Sequence, residues 1–146
     1  MQITTFVVVG LLVAAFGLGV RGLPEHGRAV LAGGALLVVM GGGVVGIGVF
    51  VLDPVAWHGR LHDVATGVAI NAALLAVVVL SVGWWRGGRR RLAVSGIVTA
   101  VACAGLGWPA DEVTIALRHT GVIVVLTAWL TTTALTLLRE EAVRAH

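Results

Sequence analysis

Long apolar runs separated by short polar connections organise the whole chain. The runs cover about residues 1–20, 29–52, 64–85, 92–108 and 111–138, and they predict five helices. Each approaches the roughly 20 apolar residues that a helix needs to cross the hydrocarbon core, where about 17–25 are tolerated. The fourth sits near the lower limit. The fifth has its apolar run over 120–138 and extends back to Asp111, because Pro109, Ala110, Asp111 and Glu112 look like a helix start, with proline early and acids in the first turn. Such a helix would be about 42 Å long, so its first turns, with Arg118 and His119, should project into the headgroups or line a pocket at the boundary. The expected fold is all-α: a polytopic transmembrane bundle forming a single integral membrane domain over 1–146.

Composition narrows the class further. Apolar residues make up 58% of the 146 residues and charged ones 12%, against roughly 25% charged in soluble domains. A water-soluble enzyme, a disordered tail and a disulfide scaffold are thereby set aside, the last because Cys103 is the only cysteine. The basic balance, +3 at pH 7, suggests nucleic acid at first sight. All ten basic residues are arginines, however, and nearly all stand between apolar runs, where they signal topology and lipid headgroups. No basic patch with interleaved aromatics is present, so no nucleic-acid partner is expected.

Charge also orients the bundle. With five spans, the connections 21–28 and 84–91 and the C-terminal tail lie on one side and hold Arg21, Arg28, Arg86, Arg89, Arg90, Arg91, Arg139 and Arg144. Only Arg60 and Arg118 fall on the other. Positive connections stay in the cytoplasm, which puts the N-terminus outside and the C-terminus inside. Trp57 and Trp108 would then mark the outer boundary and Trp84 and Trp85 the inner one, while mid-span Trp129 reads as packing. The first run is read as an uncleaved helix: the segment before it lacks the positive charge of a signal peptide, and Arg21 follows the apolar stretch.

The second run carries Gly33, Gly34, Gly41, Gly42, Gly43, Gly46 and Gly48. In lipid, where leaving the helix strands backbone groups, glycine permits close helix approach. Gly42 with Gly46, and Gly10 with Ala14, form small-xxx-small pairs. They read as intramolecular packing first, and otherwise as a seam through which glycine-rich helix 2 meets another membrane protein or a second copy. Asn71 inside the third run is expected to hydrogen-bond across helices, aided by threonines such as Thr99, Thr127 and Thr133.

Asp53, His58, His62, Asp63, Asp111, Glu112 and His119 gather at the outer boundary. Within Trp57-His58-Gly59-Arg60-Leu61-His62-Asp63, a helix would place His58 and His62 one turn apart on one face, continued by Thr66. Such pairs suit a divalent metal such as zinc. Asp53 or His119 would complete the metal set, with Asp111 and Glu112 as further candidates. An open position would hold a water of lowered pKa, and an unbound carboxylate (Asp63, Asp111 or Glu112) is the candidate general base. The bland reading is interfacial: Asp53-Pro54 as turn chemistry, His58 and His62 in the headgroup zone, Asp63 complementing a helix dipole. A haem between His62 and His119 would need one histidine on each side of the ring and has little else behind it.

The order of features resembles a known family of multi-pass prokaryotic membrane proteins, domain of unknown function 998. The likeness runs from the glycine-rich span and Gly46-Ile47-Gly48-Val49-Phe50-Val51-Leu52-Asp53-Pro54, through His58 and His62, to Leu117-Arg118-His119-Thr120-Gly121 and Trp129. Two features depart from it. The family has a proline shortly after the aromatic residue, where Val51 and Leu52 precede Asp53 here, and it has six spans rather than five. Loss of a first helix would leave the N-terminus outside, in agreement with the arginine count. The resemblance implies a helical bundle in the prokaryotic inner (cell) membrane and brings no activity with it. Two functions stay open: a small non-enzymatic module that binds lipid or a partner membrane protein, which is preferred, and a metal-dependent hydrolase of lipid-like substrates at the outer boundary.

Overall fold

The computed structural model describes residues 2–23, 27–50, 56–106 and 112–144. Among these residues all regular structure is helical: α1 (Gln2–Arg21), α2 (Arg28–Val49), α3 (Ala56–Arg86), α4 (Arg90–Leu106) and α5 (Glu112–Arg144). Four of them, all but α4, are long and apolar enough to cross a membrane. The 17 residues of α4 rise about 25 Å, a little less than the hydrocarbon thickness.

Two helices outrun their apolar stretches. α3 begins at Ala56, so the polar segment before Val64 is helical and the helix reaches about 46 Å. α5 continues to Arg144 through Arg139, Glu140 and Glu141, residues with good helix propensity and no breaker among them. α2 stops earlier than its apolar run, at Val49. Phe50 leaves the helical region at φ −94° and ψ 78°, and its N–H still bonds Gly46 O at 2.8 Å.

The helices pack as an up-and-down meander in which sequence neighbours are space neighbours. Glycine sets the closeness of the first two pairs. In α2, Gly34, Gly41 and Gly48 recur every seventh residue and meet α1, where Gly10 and Gly17 share that spacing. A Cβ on Gly41 would lie 2.5 Å from Gly10 O, and one on Gly17 would lie 2.7 Å from Gly34 O. The backbones therefore touch, and a seven-residue repeat keeps two helices in contact along their length. Gly33, Gly43 and Gly46 face α3 instead, against Leu80, Ala69 and Ala65. Gly42 has no heavy atom within 4 Å of such a Cβ. The Gly42–Gly46 pair thus splits, and six of the seven glycines in α2 are taken up by packing inside the bundle.

α3 is the central helix: 44% of its apolar window is buried, against 17% for α1. Its buried face, Ala69, Ala72, Ala73, Ala76, Val77, Leu80 and Trp84, follows helical spacing and meets α2 on one side and α4 on the other. The α5 face Val122, Leu126, Trp129, Thr133 and Leu137 closes the core. Leu11, Leu12, Val98, Val101, Ile123 and Val124 point outward, as lipid-facing side chains do.

Candidate functional site

Alternation of the helices brings the end of α2, the start of α3, the end of α4 and the start of α5 together, and this end carries the histidines. α3 is already helical at Ala56, so His58 and His62 stand one turn apart on one face. The His58 ring packs edge-on against Trp57, with 3.8 Å between centroids. His62 donates from Nδ1 to the carbonyl oxygen of Phe50 at 2.8 Å; a carbonyl only accepts, so Nδ1 carries the proton. The carbonyls at a helix C-terminus lack intrahelical partners, and His62 satisfies one of them while tying α3 to α2 across the connection.

Asp63 and His119 are exposed. His119 lies on α5 two residues before Gly121, which faces Leu106 at the end of α4, so it shares the end but not the helix of the pair. Asp53 and Asp111 lie outside the described residues, and Glu112 opens α5 with its side chain outside them. Among the described residues no three His, Cys, Asp or Glu side chains stand close enough to hold one ion. Thr66, one turn beyond His62, keeps its Oγ1 buried with no hydrogen-bond partner.

The opposite end is built from arginine and tryptophan. α3 closes in a Schellman turn: Arg89 N–H bonds Trp84 O at 2.9 Å and Gly88 N–H bonds Trp85 O at 3.2 Å. Gly88 takes φ 77°, a left-handed conformation in which a Cβ is disfavoured. The turn therefore fixes where Arg86, Arg89, Arg90 and Arg91 emerge. Arg90 lies over the Trp85 ring at 5.0 Å, and Arg89 Nη1 pairs with Glu140 Oε2 of α5 at 3.5 Å. Arg21, Arg28, Arg86, Arg91 and Arg139 are exposed around the same end.

Just inside this rim the α3–α5 seam holds an unexpected polar group. Trp84 and Trp129, 2% and 4% exposed, set their ring centroids 6.1 Å apart. Neither indole Nε1 has a hydrogen-bond partner, and neither does Oγ1 of Thr133, which is 1% exposed. The outward-facing threonines of α5 behave differently: Thr127, Thr132 and Thr136 each donate to the carbonyl four residues back, at 2.7–2.8 Å. Leaving a buried polar group unpaired costs about 1–3 kcal/mol. Within α5 the outer hydroxyls are satisfied and the buried one of Thr133 is not, the reverse of what burial demands.

Sequence reasoning placed Trp84 with Trp85 at the boundary and took Trp129 as packing; the seam separates Trp84, which is buried, from Trp85, which is exposed. The available signal was the four-residue spacing of Trp129 and Thr133 on the helical face that also holds Leu126 and Leu137. Asn71 departs from expectation too. It is exposed and donates to Gly67 O of its own helix at 2.8 Å, so it joins no neighbour by that bond. Cys103 is buried as a packing residue.

In comparison with known proteins, the model of a family described as "Protein of unknown function (DUF998)" matches residues 1–136. No curated protein and no solved structure matches the chain.

Proposed function

The chain belongs to the DUF998 family, multi-pass membrane proteins of unknown function, and from that premise we propose that it is a non-enzymatic module which binds anionic lipid headgroups at its arginine end. Residence in the prokaryotic inner membrane, with five spans and the arginine end in the cytoplasm, is part of the same reading. What supports it is the rim itself. Arg86 at the end of α3 and Arg90 and Arg91 at the start of α4 are exposed on either side of a tight glycine-containing turn, and Arg90 stacks on Trp85, a ring suited to the headgroup zone. Each arginine near an anionic surface contributes about 1 kcal/mol of attraction.

The test is lipid retention by the purified chain in vesicles of phosphatidylcholine with or without phosphatidylglycerol. The intact protein should retain phosphatidylglycerol preferentially. The triple variant Arg86→Gln, Arg90→Gln, Arg91→Gln should lose most of that preference, and an unchanged preference would refute the reading.

One observation favours the metal-dependent hydrolase as a second reading. A histidine that spends Nδ1 on a backbone carbonyl presents Nε2 in a fixed direction, an arrangement common in metal-binding histidines. His58 one turn away would supply the second nitrogen, and Asp53 or His119 the third ligand. On this reading, protein purified without chelators or a His-tag carries stoichiometric zinc and His62→Ala loses it; metal-free protein retires it.

A further inference from the structure

Three buried donors without acceptors, two indole N–H groups and a hydroxyl, stand in one seam beneath a cationic rim. We infer that the α3–α5 seam at the arginine end is a binding site for the phosphate headgroup of an anionic phospholipid, whose oxygens accept from Trp84 Nε1, Trp129 Nε1 and Thr133 Oγ1. The inference rests on the lipid-binding reading above and names a site for it that is separate from the rim.

The chemistry of the donors selects the ligand class. An indole nitrogen can only donate, and two of them in one seam call for an acceptor with more than one lone pair. No acceptor among the described residues serves them. Thr133 could have satisfied itself on its own helix, as Thr127, Thr132 and Thr136 do, and does not. The seam lies toward the arginine end, with Trp129 one turn deeper than Thr133. Trp84 is in the last turn of α3, two residues before exposed Arg86, and Thr133 is two turns inside Glu140, about 10 Å along α5. Charge points the same way. Exposed Arg86, Arg90 and Arg91 at the same end of the bundle add positive potential, which favours a phosphate diester over a neutral carbonyl. Among the described residues Glu140 and Glu141 are the carboxylates at this end, and Glu140 is held by Arg89.

The test uses the full chain in lipid nanodiscs. The indole N–H resonances of Trp84 and Trp129 are assigned with Trp84→Phe and Trp129→Phe and followed as phosphatidylglycerol replaces phosphatidylcholine. Both should move downfield together and saturate, and the melting temperature should rise with phosphatidylglycerol, as ligand binding to the folded state requires.

Thr133→Val, close to isosteric and free of the orphaned hydroxyl, should melt no lower than the parent in pure phosphatidylcholine. It should bind phosphatidylglycerol roughly tenfold more weakly, with Thr133→Ser restoring the response. Resonances that ignore phosphatidylglycerol would overturn the inference. So would resonances that are already downfield in phosphatidylcholine and exchange quickly with D2O, since water would then be the acceptor.

The arginine triple variant separates the two proposals. If the rim reading fails and the seam holds, that variant keeps its lipid preference while Thr133→Val loses it. If the seam fails and the rim holds, the pattern reverses.

Discussion

A single hydrogen bond decides what His62 does in this fold. Its Nδ1–H takes up the Phe50 carbonyl left over at the end of α2 and so joins the first turns of α3 to the preceding helix. A part-buried bond of this kind contributes about 0.5–1.5 kcal/mol, mostly because its loss leaves an acceptor poorly served. His62→Ala should lower unfolding free energy in detergent by about 1 kcal/mol. His62→Asn, whose side-chain N–H₂ can reach the same carbonyl, should recover most of it. Equal stability of all three proteins would show that the bond does not tie the helices.

At the scale of the element, the informative contrast is between neighbouring glycines of α2. Gly41 faces α1 so closely that a methyl group would sit 2.5 Å from Gly10 O and 2.8 Å from Ala14 N, both backbone atoms that cannot swing aside. Gly42, the next residue, has open space. Gly41→Ala should therefore cost about 1–3 kcal/mol through overpacking. Gly42→Ala should be neutral or slightly stabilising, since alanine favours the helix by up to about 1 kcal/mol over glycine. Unfolding titrations of the two variants in one detergent measure the difference. A large loss at Gly42 would mean that this face packs against something outside the bundle.

For the whole molecule the governing quantity is the asymmetry of charge between the two ends. With α1 to α5 alternating, Arg21, Arg28, Arg86, Arg89, Arg90, Arg91 and Arg139 collect at one end and Arg60 and Arg118 at the other. Translocating the first set would be far more costly than translocating the second. A reporter active only in the cytoplasm should work when fused after His146 and fail when fused before Met1. The reverse result would move the histidine end to the cytoplasm and overturn the orientation.

Helix number, helix order and the two chemically distinct ends were legible in the residues alone. Apolar runs of bilayer length must be helical in lipid, because every backbone N–H and C=O needs an internal partner, and arginine is excluded from their middles. The pairing of His58 with His62 was legible for a similar reason: a four-residue spacing is local, and a helix converts it directly into a shared face. Everything that depends on which face meets which neighbour came only with the tertiary structure. Periodicity is weak when a helix is apolar all round, so nothing in α2 distinguished Gly41 at a backbone contact from Gly42 beside it. Nor could Trp84 and Trp85, adjacent and identical, be told apart until α5 covered one and left the other beneath Arg90. The orphaned donors of the seam arise at the same level. A threonine or an indole is polar in any sequence, but whether its hydrogen goes unmet depends on what the other helices place beside it.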